Sequence, residues 1–76
     1  MAREYEPYEN LANAIILSAV RDYRKVLKRL SINPKSKSAA ADAASLERFF
    51  FSGWFEVLTD LDPNYLVRRL KNEVGL

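Results

Sequence analysis

Three carboxylates, Glu56, Asp60 and Asp62, fall close together in "FEVLTDLDPNYL". Acids at such spacing can share a proton-transfer task or hold Mg²⁺. Each also has a simpler reading. Asp62 precedes Pro63, the pattern of a helix N-cap followed by proline at the first helical position, and Glu56 with Asp60 reads as a solvated face. The chain has no histidine and no cysteine, so the usual zinc and iron ligand sets cannot be assembled. With two glycines there is no phosphate-cradling loop, and no nucleophile stands beside a base. The expectation is a non-catalytic protein without metal or cofactor.

Phosphate recognition is the second chemistry the residues allow. Arg21, Arg24, Lys25 and Lys28 make a basic row, which Lys35 and Lys37 extend. Such a row can track a nucleic-acid backbone, although charged outer helix faces commonly serve solvation alone. The C-terminal segment loosely resembles a helix-turn-helix that would present Asn64, Tyr65, Arg68 and Lys71 to a groove, with Arg69 beside them. Against it stand Phe55 where the motif takes a small residue, a turn without glycine, and Asp60 and Asp62 where phosphate would lie.

The charges that support these readings are sorted along the chain. The net charge is +2 over 76 residues, but residues 21–37 hold seven basic groups against Asp22, while residues 38–62 hold five acids against Arg48. The molecule is a dipole rather than a uniformly basic object, and the near-neutral balance argues against wholesale DNA mimicry, which would need a strongly acidic surface. A chain of this length makes one domain, residues 1–76, and buries only about 60% of the surface its unfolded form exposes. Its longest mainly apolar run, "LANAIILSAV", contains Asn13 and falls well short of the roughly 20 residues that cross a bilayer. Acids in "MAREYEPYEN" stand where a secretory signal would be basic, so no targeting segment, no membrane association and a cytoplasmic setting are expected.

Helices must position all of these groups. Leu11, Ala12, Ile15, Ile16, Ala19, Val20, Tyr23, Val26, Leu27 and Leu30 recur at three and four, which predicts one amphipathic helix over about 7–31 with the basic row opposite its apolar face. Pro7 suits its first turn, Glu6 and Glu9 its positive end, and Lys25, Lys28 and Arg29 its negative end. Asn33-Pro34 ends it. A second, alanine-rich helix is expected over about 38–51 with Ser38 as N-cap, a short third over 53–59 capped by Ser52, and a fourth over 63–74 stopped by Gly75. No alternating run or hairpin turn competes, so the fold class is all-α: a small three-to-four-helix bundle with one long N-terminal helix.

Six aromatics crowd the segment from Phe49 to Tyr65. A small bundle needs large side chains in its core, so most of them, Trp54 included, are expected inside. Phe49, Phe50 and Phe51 are consecutive and point about 100° apart on a helix, so they cannot all face inward. Phe50 shares the Leu46 face, which leaves Phe49 and Phe51 as candidate partner-binding residues. Leu17, in the middle of the polar face of the first helix, is the third.

The segments "LERFFFSGWFEVLTDLDPNYLVRRL" and "ANAIILSAVRDYRKVLKRL" resemble a family of short helical proteins encoded in prophages and integrating elements of bacteria. The pattern E-R-F-F-x-S-x-W-F-x-x-L-T, from Glu47 to Thr59, carries the likeness. It implies an accessory protein of a mobile element, a setting in which a common job is to bind one host or phage protein, inhibition of a defence nuclease included. The expected function is a protein–protein interaction module, with a homodimer left open; the alternative is a small DNA-binding protein using the last helix or the basic row.

Overall fold

The computed structural model describes residues 7–76, with side chains from Leu11 onward; the expected placing of Glu6 and of the Glu9 side chain lies outside the described residues. The chain folds into four helices: α1 (Pro7–Ile32), α2 (Lys37–Phe50), α3 (Gly53–Leu58) and α4 (Pro63–Glu73). No strand occurs among the described residues. It is an all-α bundle in which the long N-terminal helix is the scaffold, because α2, α3 and α4 all pack on α1.

Local chemistry sets each boundary. Asn33 N–H bonds back to the Arg29 carbonyl, and the turn through Pro34 closes with Ser36 N–H on the Asn33 carbonyl at 3.1 Å. Ser36 then caps α2: in extended backbone, its hydroxyl accepts from Ala39 N–H at 3.1 Å. This corrects the expected cap at Ser38, which lies inside the helix and whose hydroxyl accepts from Arg29 Nη2 at 3.2 Å. The serines of "SKS" are two apart, and the tight turn at Pro34 delivers the first of them to the cap. Ser52 makes the next corner with one hydroxyl, which donates to the Phe49 carbonyl at 2.7 Å and accepts from Phe55 N–H at 3.3 Å. Asp62 Oδ1 accepts from Asn64 N–H at 2.9 Å, with Pro63 at the start of α4 as expected. At the far end Gly75 takes φ +79°, while Gly75 N–H reaches the Asn72 carbonyl and Leu76 N–H the Lys71 carbonyl. That is a Schellman turn, and it requires a left-handed residue at Gly75.

The core forms where these corners turn the helices inward. Ala39 and Ala43 are buried and let α2 approach α1 closely; Ile16, Ala19, Tyr23, Val26 and Leu27 of α1, Phe50 of α2, Phe55 of α3, and Val67 and Leu70 of α4 complete it. Phe50 is its hub. Its ring meets Tyr23 at 5.4 Å and Phe55 at 5.6 Å, both edge-to-face, and Phe49 at 5.7 Å. Such ring pairs contribute about 0.5–1.5 kcal/mol each beyond burial. Tyr23 donates its hydroxyl to Glu47 Oε2 at 2.7 Å, and Lys71 Nζ lies 3.6 Å from the same oxygen, so one carboxylate ties α1, α2 and α4. Burial, then the hydrogen bond and charge of Glu47, push the Tyr23 phenol well above its ordinary pKa. No buried side-chain polar atom lacks a partner among the described residues.

Three placements differ from expectation. The six aromatics are not mostly core: Phe50 and Phe55 are buried and Phe49 half-buried, while Phe51, Trp54 and Tyr65 are exposed. Trp54 is not core: its side chain is 58% exposed. Trp54 and Phe55 are adjacent on a six-residue helix, about 100° apart, and Phe55, with Leu58 one turn on, takes the inward side. The apolar face of α1 is not covered from Leu11 either; Leu11 is exposed, and full burial on this helix begins at Ile16.

Candidate interaction surface

Two surfaces bring candidate residues together. The first lies at the α2–α3 corner and along α3, where Phe51, Trp54 and Val57 are 49%, 58% and 77% exposed. The corner explains this. Ser52 ends α2 and begins α3 within two residues, Phe55 anchors α3 to Phe49 and Phe50 while Leu58 packs half-buried at its end, and Trp54 and Val57 are left facing water. Leu61, in the turn that follows, is exposed as well. Of the two phenylalanines picked out in the sequence, Phe51 is outward, whereas Phe49 is half-buried with its ring edge-to-face on Phe55 at 5.7 Å. The acids of this region do not converge: no group of three or more potential metal ligands gathers among the described residues. Asp62 is engaged as the α4 cap.

The second surface joins α1 to the end of α4. Leu17 is 60% exposed, and with Val20 and Val74 it floors a groove of about 400 Å³ whose rim is Arg21, Arg24, Lys25 and Lys28. Arg24 reaches across to Glu73 with two hydrogen bonds, Nε–Oε1 at 2.9 Å and Nη2–Oε2 at 3.1 Å. The guanidinium draws the Glu73 carboxyl below its usual range and is itself held more firmly protonated by that hydrogen bond. Beyond this pair, Tyr65, Arg68, Arg69 and Asn72 line a shallower depression on α4, where Arg69 Nη1 donates to the Tyr65 hydroxyl at 3.0 Å. The two basic sets of the sequence, on α1 and on α4, therefore meet at Arg24–Glu73.

The remaining nucleic-acid candidates lie elsewhere. Lys71 turns to Glu47, Asn64 stands exposed at the start of α4, and Lys35 and Lys37 are exposed in the α1–α2 turn and at the first residue of α2. Arg29 is taken by Asp42, at 3.1 Å. The close backbone packing of a helix-turn-helix is not found: the backbones of α3 and α4 do not approach each other, and each lies instead against α1 and α2.

The sequence did not single out Trp54 and Val57 as surface, or Val74 and Glu73 as groove residues. The adjacency of Trp54 and Phe55 was a usable signal, since two neighbours on a one-sided short helix cannot both be core. Val74 carried none, because its position depends on how α4 crosses α1. Among the described residues no helix is long and apolar enough to cross a membrane. No protein-family model, curated protein or solved structure matches the chain.

Proposed function

We propose that this chain is a non-catalytic interaction module that binds a protein partner through the outward aromatic strip at the α2–α3 corner and the outer face of α1. The observation that carries the reading is Trp54, a large amphipathic side chain left mostly in water on a helix whose inward side is already filled by Phe55 and Leu58. Trp is among the residues that dominate binding energy at interfaces, and Phe51 and Val57 flank it with further apolar surface. In the setting implied by the Glu47–Thr59 pattern, the partner is a protein of the bacterial host or of the phage, and the chain acts as an accessory or inhibitor of it.

Comparative affinity capture tests this. Immobilised wild type and the Trp54→Ser/Val57→Ser variant are exposed to the same bacterial lysate, with circular dichroism confirming that both are folded. A partner retained by wild type and lost by the variant is the expected result. Identical captures by the two folded proteins would remove α3 from the binding surface.

A further inference from the structure

We propose that the groove between α1 and the end of α4 is a docking site for an acidic amphipathic helix of a protein partner. The inference rests on the interaction-module reading but assigns a surface separate from α3, with a different chemistry.

Spacing is the first argument. Leu17, Val20, Arg21, Arg24, Lys25 and Lys28 follow one another at i, i+3, i+4, i+7, i+8 and i+11, a stripe along α1 that spans about three helical turns, or roughly 16 Å. A helix lying in a groove is read through the same recurrence of anchors. The second argument is charge. The rim holds four cations against a single acid, Glu73, which Arg24 already engages. Arg21, Lys25 and Lys28 form no ion pair among the described residues. An occupant therefore meets positive potential over the Arg21–Lys28 part of the stripe, which steers and orients an acidic segment.

The floor separates a helix from a nucleic acid. Leu17 stands open to solvent, and Val20 and Val74 are only half-buried, so the groove offers apolar surface at its Leu17 end and cations toward Lys28. A phosphate backbone would use the cations and gain nothing from the apolar end. An amphipathic helix uses both: apolar residues on Leu17, Val20 and Val74, then Asp or Glu one to two turns further along. The Schellman turn at Gly75 fixes the backbone beside Val74, so this part of the groove floor is built before any partner arrives.

The test is a titration of the full ¹⁵N-labelled chain, followed by amide shifts. The probes are a synthetic peptide of about three helical turns with leucines toward one end of one face and glutamates one to two turns further along it, a scrambled peptide of the same composition, and a short duplex DNA. The expected result is that the amphipathic peptide shifts amides around Leu17, Val20, Arg24, Lys28 and Val74 and the scrambled one does not. Leu17→Asp and Lys25→Glu/Lys28→Glu should each weaken binding by at least about tenfold, a loss of about 1.4 kcal/mol. All of these positions are exposed, so the variants should fold. Three results would overturn the proposal: no shifts with the peptide; duplex binding that is tighter, steeply salt-dependent and indifferent to Leu17→Asp; or a doubled mass in solution that Lys25→Glu/Lys28→Glu abolishes, which would make a second copy the occupant. Peptide shifts confined to Phe51, Trp54 and Val57 would reject the groove while leaving the interaction-module reading standing.

Discussion

Phe50 and Trp54 carry opposite predictions although they lie four residues apart. Phe50 is fully buried among Tyr23, Phe49 and Phe55, so Phe50→Ala removes the hub of the core and should cost about 3–5 kcal/mol in lost transfer energy and cavity. A domain of this length has only about 4–11 kcal/mol in total, so that variant sits near the edge of folding. Phe50→Leu is the measurable substitute, expected to cost about 1–2 kcal/mol and to lower the melting temperature by several degrees. Trp54 is 58% exposed, so about two-fifths of its side chain is covered. Of the ~250 Å² an indole can bury, that is ~100 Å², or at most ~2.5 kcal/mol at 25 cal/mol per Å². A realistic unfolded state reduces the figure, and solvent fills the space without a cavity, which leaves about 1–2 kcal/mol for Trp54→Ala. Thermal and urea unfolding followed by far-ultraviolet circular dichroism reads all three variants. If Trp54→Ala proves as costly as Phe50→Ala, or Phe50→Leu melts with wild type, this assignment of inside and outside is wrong.

Further outcomes follow from local geometry. Ser36→Ala should cost about 1 kcal/mol as a lost N-cap, while Ser38→Ala stays within about 0.5 kcal/mol; equal effects in urea unfolding would refute the cap assignment. Gly75→Ala should destabilise by about 1–2 kcal/mol because φ +79° is strained for any Cβ, and a neutral result would mean the Schellman turn is not maintained. The Tyr23 phenol has a raised pKa in the folded state, so its contribution is complete below the ordinary tyrosine value of about 10 and is lost as pH climbs through and above it. Stability should therefore fall at alkaline pH, and less steeply in Tyr23→Phe, which at neutral pH loses about 1–2 kcal/mol with the Glu47 hydrogen bond. Parallel alkaline profiles for the two proteins would contradict this.

The helices were legible because their signals are local. Asn33-Pro34, Ser52 and Asp62-Pro63 act within a few residues of themselves, and every helix boundary falls within about one residue of its expected position. Leu17 and Phe51 were legible as outward residues through helical periodicity alone. What escaped depends on tertiary crossing. Trp54 is outside because Phe55, Phe50 and Phe49 together fill the space under α3, and no spacing rule says which of two adjacent aromatics wins. The groove escaped because Val74 and Glu73 come to line it with Leu17 and Arg24 only when α4 folds back on α1, across some fifty residues of chain. Lys71 belonged by sequence to the basic face of α4 and is turned instead to Glu47, a partner on another helix.

Trp54 is the only tryptophan, so its fluorescence in the dilute folded protein reports one side chain on the proposed surface. Emission like that of a free indole in water, and ready quenching by acrylamide while circular dichroism remains helical, is the predicted result. Blue-shifted emission shielded from quencher in the dilute folded chain would place Trp54 in the interior and take away the observation on which the interaction surface rests.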